Sequence, residues 1–257
     1  MIKIIMTGCF GRMGEVVCRL AAESPDMEIA AGIDCVPGSA NFPVYTAIKQ
    51  CTEPADAIIC FLPPNAEDEL LDTPAFCAEN RIPLIFCSTG HSSKVDDAIA
   101  MAAKKAAVLR SGNMSLGINL LSSVLAKISP LLHASGFDIE ITEKHHNQKI
   151  DAPSGTAFLL ADSIREAILE SNGGDVRYIH DRSNTHTKRE RNEIGIHALR
   201  GGTIVGEHTV TFAGHNEIIE LKHISHSREV FAVGALKAAK FLQGKPAGLY
   251  TMQDVIN

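Results

Sequence analysis

The chain of 257 residues contains no tryptophan and three tyrosines, and aromatic residues make up only 5% of it. Proteins that hold polynucleotides stack bases on aromatic rings and set an excess of basic residues against the phosphates. With a formal charge of −6 and few rings, this chain excludes that class, and no nucleic-acid partner is expected. It also lacks an apolar run of membrane-spanning length, and the start "MIKIIMTGCFG" has no basic segment leading into a long apolar stretch and a cleavage site. No membrane partner is expected either. Missing too are a C-x-x-C pair, an H-E-x-x-H and a G-x-S-x-G, which removes the usual signals for a thiol-disulfide, zinc-protease or serine-hydrolase site. The seven cysteines are odd in number and lie in the first ninety residues. They read as free thiols in a reducing, cytoplasmic setting.

What is present is a hydrophobic content of 45%, ample for a packed core, arranged in two styles. The first third alternates short apolar runs with helical spacing, the order of βαβ units and a mostly parallel sheet. Strands are predicted at Ile2–Thr7, Glu28–Asp34, Ala57–Leu62, Leu84–Cys87 and Ala107–Arg110, with a helix after the first carrying Met13, Val16, Val17, Leu20 and Ala21 on one face. After a helix near Gly117–Ser129, "FDIEIT" alternates apolar and polar residues as a one-sided sheet does. A second, α+β unit is expected there, with a helix over Ser154–Ser171 and strands near Ile194–Leu199, Thr203–Phe212 and Glu217–Ile224. The segment Asp181–Glu193 has four basic and three acidic residues without an apolar period, and reads as a mobile solvated loop. Helical spacing returns over Ser227–Gln243. The expected architecture is thus α/β: a Rossmann-type, mostly parallel sheet domain made of residues 1–116 and 226–257, with an α+β domain of residues 117–225 inserted.

Two stretches carry chemistry. "TGCFGRMGE" sets Gly8, Gly11 and Gly14 between the first strand and its helix, where backbone N–H groups and the helix dipole suit a pyrophosphate. The spacing departs from G-x-G-x-x-G, but Asp34 follows at the end of the second strand, where an acid accepts hydrogen bonds from an adenosine ribose. Together they point to a dinucleotide. Arg12 has two equally open readings, a surface charge or a guanidinium against the cofactor. The absence of a basic residue in "DCVPGSANF" beside Asp34 points to NADH in preference to NADPH, with NADPH also usable.

The second stretch, "EKHHNQKIDAPSGTA", brings His145, His146 and Lys149 close to a helix entrance at Ser154, with Gly155 and Thr156 in its first turn. A histidine exchanges protons near neutral pH, a lysine adds fixed positive charge, and a helix N-terminus binds carboxylate. The cluster suits a small acidic substrate that must be protonated. Asp151 reads as favouring the helix entrance, and Ser154 alone would be only a cap. His223 and His226 lack a third ligand at useful spacing, so they read as structural and no metal is expected.

Taken with "GGTIVGEHTVTF" and "SREVFAVGALKAAKFLQGKPAGLYTMQDV", these motifs resemble those of the dihydrodipicolinate reductase family and run in family order along nearly the whole chain. The resemblance implies hydride transfer from reduced nicotinamide to a cyclic imine dicarboxylate, in diaminopimelate and lysine biosynthesis, by a homotetramer joined through the inserted domain. It implies His145 as the proton donor, Lys149 beside it, and His146, Gly155 and Thr156 as substrate-binding groups. For the cofactor it implies Gly8, Phe10, Gly11, Arg12, Met13, Gly14, Asp34, Phe61, Ser88, Thr89, Gly90, Asn113 and Met114. Three segments depart from the family's usual pattern: Cys60-Phe61-Leu62, Cys87-Ser88-Thr89-Gly90, and Ser111 to Gly117. All fall beside the expected nicotinamide site. Two other readings are another nicotinamide-dependent dehydrogenase of amino or imino dicarboxylates, and a dinucleotide sensor without turnover.

Overall fold

A computed structural model describes residues 1–36, 38–172, 174–183 and 186–257. In chain order its strands are β1 (Ile2–Thr7), β2 (Met27–Ile33), β3 (Val44–Tyr45), β4 (Ala57–Cys60), β5 (Leu84–Phe86), β6 (Ala107–Arg110), β7 (Asp138–His145), β8 (Arg177–Ile179), β9 (Glu193–Arg200), β10 (Gly206–Ala213), β11 (Ile218–Ser225) and β12 (Gly248–Tyr250). The helices are α1 (Arg12–Glu23), α2 (Glu67–Asn80), α3 (Ser93–Ala102), α4 (Leu116–Ala134), α5 (Gly155–Asn172), α6 (Glu229–Phe241) and α7 (Met252–Ile256). They form two compact units, one of Met1–Leu116 with Glu229–Asn257 and one of Gly117–Arg228.

The first unit is built on a seven-stranded sheet of order β12-β6-β5-β4-β1-β2-β3, and every pairing in it is parallel. Outward from β1 the order reverses toward β2 on one side and β4 on the other, the doubly wound pattern whose switch point lies at the carboxyl ends of β1 and β4. Continuous apolarity in these strands has a direct cause. Ile4, Met6, Ala57, Ile59 and Ile85 enter one core, while the alternate residues Ile5, Ile58, Cys60, Leu84 and Phe86 enter a second. The α6 helix closes the first core with Ala232, Ala235, Ala238, Ala239 and Leu242. Its small residues allow close approach, and a Cβ built at Gly234 would lie 1.7 Å from the Met114 carbonyl oxygen.

The second unit holds a five-stranded sheet of order β11-β10-β7-β9-β8. Its register lines residues up in rows across the face that packs on α4 and α5. Ile139, Ile194, Phe212 and Ile219 form one row, and Ile141, Ile196, Val210 and Leu221 the next. One step nearer the end of β7 the row becomes Glu143, Ala198, His208 and His223. The sheet thus passes from apolar core to polar site on a single face.

β7 ends at His145, where the strand from Phe137 is expected to stop, and its last residues pair with β9 as far as Arg200. Other elements differ from the sequence expectation. The helix expected to stop at Ser129 continues through Pro130 to Ala134, with Leu132 packed on the core. By length and composition α4 could cross a membrane, contrary to the expectation that no such run exists. Its Ile118, Ser122, Leu125 and Ser129 recur at helical spacing on a buried stripe, while Leu120 and Leu131 are exposed.

The segment Asp181–Glu193 is also no free solvated loop where it is described. Arg177 and Arg182 both bond the buried Glu193 carboxylate, at 2.8 and 2.7 Å, and Arg189 reaches Asp138 and Glu140 on β7. The expected mobility of Asn184 and Thr185 lies outside the described residues.

Candidate active site

The glycine turn forms as the strand-to-helix order demands. Gly8 takes φ +80°, and a Cβ there would meet the Phe61 carbonyl oxygen at 2.8 Å, so the turns after β1 and β4 touch at the switch point. Gly14 is buried against Gly8, its notional Cβ 2.0 Å from the Gly8 oxygen. The α1 helix starts at Gly11 with no side-chain cap, so its first-turn N–H groups remain for an anion, while Arg12 is exposed and Phe10 and Met13 are half-buried. These features fit a diphosphate.

Asp34 follows β2, and its carboxylate accepts the Phe10 N–H at 2.9 Å and the Val36 N–H at 3.0 Å. It therefore braces the glycine turn as well as offering lone pairs to a ribose. The remaining residues assigned by resemblance divide. Thr89 and Gly90 are exposed after β5. Ser88 is buried, and its hydroxyl accepts the Leu62 N–H at 2.9 Å, tying the turns after β4 and β5 together. Asn113 is buried with its side-chain oxygen on the Ser115 N–H at 2.9 Å, and Met114 packs against Gly234. All seven cysteines are free, and burial pushes Cys9 up to about 11 and Cys18 and Cys77 to about 12, so none of these three is an activated thiol.

In the second unit, β7 ends on His145 and the chain turns through His146 and Lys149 into α5. Ser154 caps this helix, its hydroxyl accepting the Ala157 N–H at 3.2 Å. The exposed Gly155 N–H reaches the Asp151 carboxylate, which also pairs with Lys149 at 2.8 Å. Lys149 and the helix entrance thus already share one carboxylate. Burial raises Asp151, yet Lys149 more than offsets it and the acid sits below its usual range.

Beneath these groups lies a buried polar cluster that the sequence reading did not include. Glu143 is fully buried and accepts both arms of the Arg200 guanidinium, at 2.8 and 2.7 Å, the Ser154 N–H at 2.9 Å and His145 Nδ1 at 2.6 Å. Burial would raise its carboxyl, but Arg200 and His145 hold it below the ordinary range. For His145, burial lowers the pKa and Glu143 opposes it, with the net direction downward. His208 Nε2 lies 3.0 Å from Ser154 Oγ, and its ring stands edge-on to His145 with centroids 5.2 Å apart. A sequence signal for Glu143 existed, since residues i and i+2 of a strand share a face. Arg200 and His208 come from other strands and had no local signal.

Burial, reinforced by the charge of His145, takes His208 down to about 4. A histidine neutral when folded but protonated when unfolded leaves stability intact above pH 6.5 and removes it as the pH falls toward 4. Urea unfolding at pH 7 and pH 4.5 should therefore show a loss that His208→Gln reduces, by up to about 3 kcal/mol. Equal losses in parent and variant would remove His208 from that role. Among the described residues no group of three or more His, Cys, Asp or Glu side chains is placed to hold a metal. His223 instead sits in register beside His208.

A doubly wound parallel sheet with a glycine turn at its switch point, together with a unit bearing a histidine–lysine cluster at a helix entrance, defines a nicotinamide-dependent oxidoreductase. The sequence matches the family models described as "Dihydrodipicolinate reductase, N-terminus" over residues 2–114 and "Dihydrodipicolinate reductase, C-terminus" over residues 117–256. The chain belongs to the dihydrodipicolinate reductase family. It is 45% identical over 258 residues to the 4-hydroxy-tetrahydrodipicolinate reductase of Clostridium tetani, covering 100% of this chain and 98% of that one. It is 48% identical over 257 residues to the protein of the same name from Clostridium novyi, with the same coverage. A solved structure of dipicolinate-bound dihydrodipicolinate reductase from Paenisporosarcina sp. TG-14 shares the fold, with a TM-score of 0.80 at 22% identity over 100% of both chains.

Proposed function

We propose that this chain reduces 4-hydroxy-tetrahydrodipicolinate, a small cyclic imine dicarboxylate, to tetrahydrodipicolinate in diaminopimelate and lysine biosynthesis. The observation that carries this reading is the loop between β7 and α5, which sets a half-buried lysine and an exposed helix N–H around one carboxylate beside His145. Bound at the glycine turn, NADH or NADPH would supply the hydride. Lys149, the Gly155 N–H and Thr156 hold a substrate carboxylate in the place Asp151 takes, His146 adds a polar contact, and His145 delivers the proton. No metal is required. The test couples the synthase that makes the substrate to oxidation of reduced cofactor. Reduction of oxidised cofactor by aspartate or diaminopimelate, with no oxidation of reduced cofactor by the synthase product, would favour a dehydrogenase of amino dicarboxylates, and binding without turnover in either direction a sensor.

For the cofactor we infer a preference for NADH. The Asp34 carboxylate is fixed at the end of β2, and the 2′-phosphate of NADPH meets like charge there. Because Asp34 also holds Phe10, replacing it disturbs the turn, and the cleaner probe is the exposed Cys35 next to it. Cys35→Arg should move the kcat/KM ratio toward NADPH by about tenfold or more, the effect of one charge-assisted phosphate contact. A parent that favours NADPH would show that Asp34 does not select the cofactor.

The free cysteines agree with a reducing, cytoplasmic setting. We also assign a homotetramer joined through the second unit, since the β11 edge exposes Ile218, Ile219 and Ile224. A monomer mass in light scattering at all concentrations would reject it.

A further inference from the structure

Glu143 accepts four hydrogen bonds in the second unit's polar cluster, yet it is fully buried and cannot serve as a surface ligand. It sits two residues before His145 on the inner face of β7, so strand alternation places both side chains on the same side of the sheet. Four donors converge on its two oxygens: the two arms of Arg200 from β9, the Ser154 N–H at the start of α5, and His145 Nδ1. Three of the four are fixed in place by other bonds. Arg200 also donates to the Leu199 and Asp151 carbonyl oxygens, and Ser154 is held by its cap bond and by His208. The carboxylate is therefore a rigid acceptor, and the His145 ring is the member that adapts to it.

A ring nitrogen bonded to an acceptor-only carboxylate carries a proton in both the neutral and the charged ring. The other nitrogen, His145 Nε2, is then the one whose proton comes and goes. Gly206 on β10 faces it, and a Cβ at that position would come within 3.2 Å of Nε2, so the missing side chain keeps this part of β10 from crowding that nitrogen. We propose that Glu143 is a positioning residue for proton transfer: it fixes the tautomer and orientation of His145 so that Nε2 holds and releases the transferable proton. This rests on the reading of His145 as the proton donor. In the step itself reduced nicotinamide would supply the hydride, the carbanion-like centre that its addition leaves on the substrate would take the Nε2 proton, and the imidazolium would become a neutral ring with its Nδ1–H still on Glu143. Glu143 stays ionised throughout, because Arg200 and the Ser154 N–H remain on it.

The charges that face His145 come from every side. Glu143 on β7 favours the imidazolium, while Lys149 in the following loop, Arg200 on β9 and His208 on β10 oppose it; His223 on β11 lies behind His208, and Asp151 partly neutralises Lys149. Only one of the groups in contact with the ring is an anion. Removing its charge moves the balance toward the neutral ring, so the limb of the kcat/KM profile that falls with rising pH must shift to lower pH.

The intact protein gives the first test. With ¹⁵N-labelled histidine, neutral His145 should show Nδ1 protonated and Nε2 bare, and the opposite tautomer would overturn the assignment whatever any variant does. In Glu143→Gln, kcat should fall about tenfold or more, part of the 10²–10⁴ that a general acid supplies, with the falling pH limb displaced downward and a mixture of tautomers. A folded Glu143→Gln that keeps the parent's pH limb and tautomer would sink the proposal, since a merely structural acid would alter stability or KM and leave both untouched. His145→Ala separates the two readings. If it retains parental turnover, the donor itself is misassigned; if it is slow while Glu143→Gln behaves as the parent, only the positioning role fails.

Discussion

Replacing His145 by alanine is expected to lower kcat by about 10²–10⁴-fold, the range over which a positioned general acid contributes, while the affinity for reduced dinucleotide stays near that of the parent. The separation follows from where the residue sits: His145 ends β7 in the second unit, and the glycine turn belongs to the first. The pH dependence carries the sign. Burial holds the His145 pKa below the ordinary histidine range, so in the free protein kcat/KM falls as the pH rises through that lowered value. A bound dicarboxylate favours the imidazolium, and the limb in kcat should lie at higher pH than the limb in kcat/KM. Equal turnover in parent and variant, measured by cofactor oxidation at saturating substrate, would remove His145 from the reaction.

Much of the first unit could be read from the chain because its signals are local. Each of its longer strands is a short apolar run bounded by turns, and α1 shows its buried stripe in Val17 and Ala21. The strands that were not anticipated, β3, β8 and β12, have two or three residues each, too few to display a period. What they need is a neighbour. Tyr45 lies against Ile33, and Tyr250 against Leu109, once those partners are in place.

The site divides in the same way. The cluster from His145 to Thr156 lies within a dozen residues and announces itself as a group. Its supporting layer does not, because Arg200 bonds Glu143 across 57 positions of sequence and His208 bonds Ser154 across 54. Those distances are closed by the register of β7 with β9 and β10, which depends on apolar rows packing beneath. Composition gave the opposite impression for Asp181–Glu193. Its charges suggest solvation, but the buried Glu193 carboxylate draws in Arg177 and Arg182, and a charge run becomes a structural clasp.

Gly14→Ala should be the most damaging single-methyl change in the first unit's site. The added Cβ would stand 2.0 Å from the Gly8 carbonyl oxygen and 2.8 Å from the Cys9 Cα, and both neighbours are backbone. Neither can rotate away as a side chain would. Relief requires α1 to move off β1, which costs about 1–3 kcal/mol as overpacking and carries the helix's first-turn N–H groups out of reach of a diphosphate. Dinucleotide affinity should weaken by about tenfold or more, the equivalent of 1.4 kcal/mol, with a lowered melting temperature. Gly11→Ala is the milder contrast: that residue is exposed, has φ −73°, and its notional Cβ stands 3.2 Å from the Gly8 oxygen, so the strain and the loss of melting temperature should be smaller than in Gly14→Ala. Calorimetric titration of NADH and thermal unfolding of the two variants decide the point. Parental affinity and melting in Gly14→Ala would mean that the turn relaxes freely, and that close packing of α1 on the first turn does not shape the dinucleotide site.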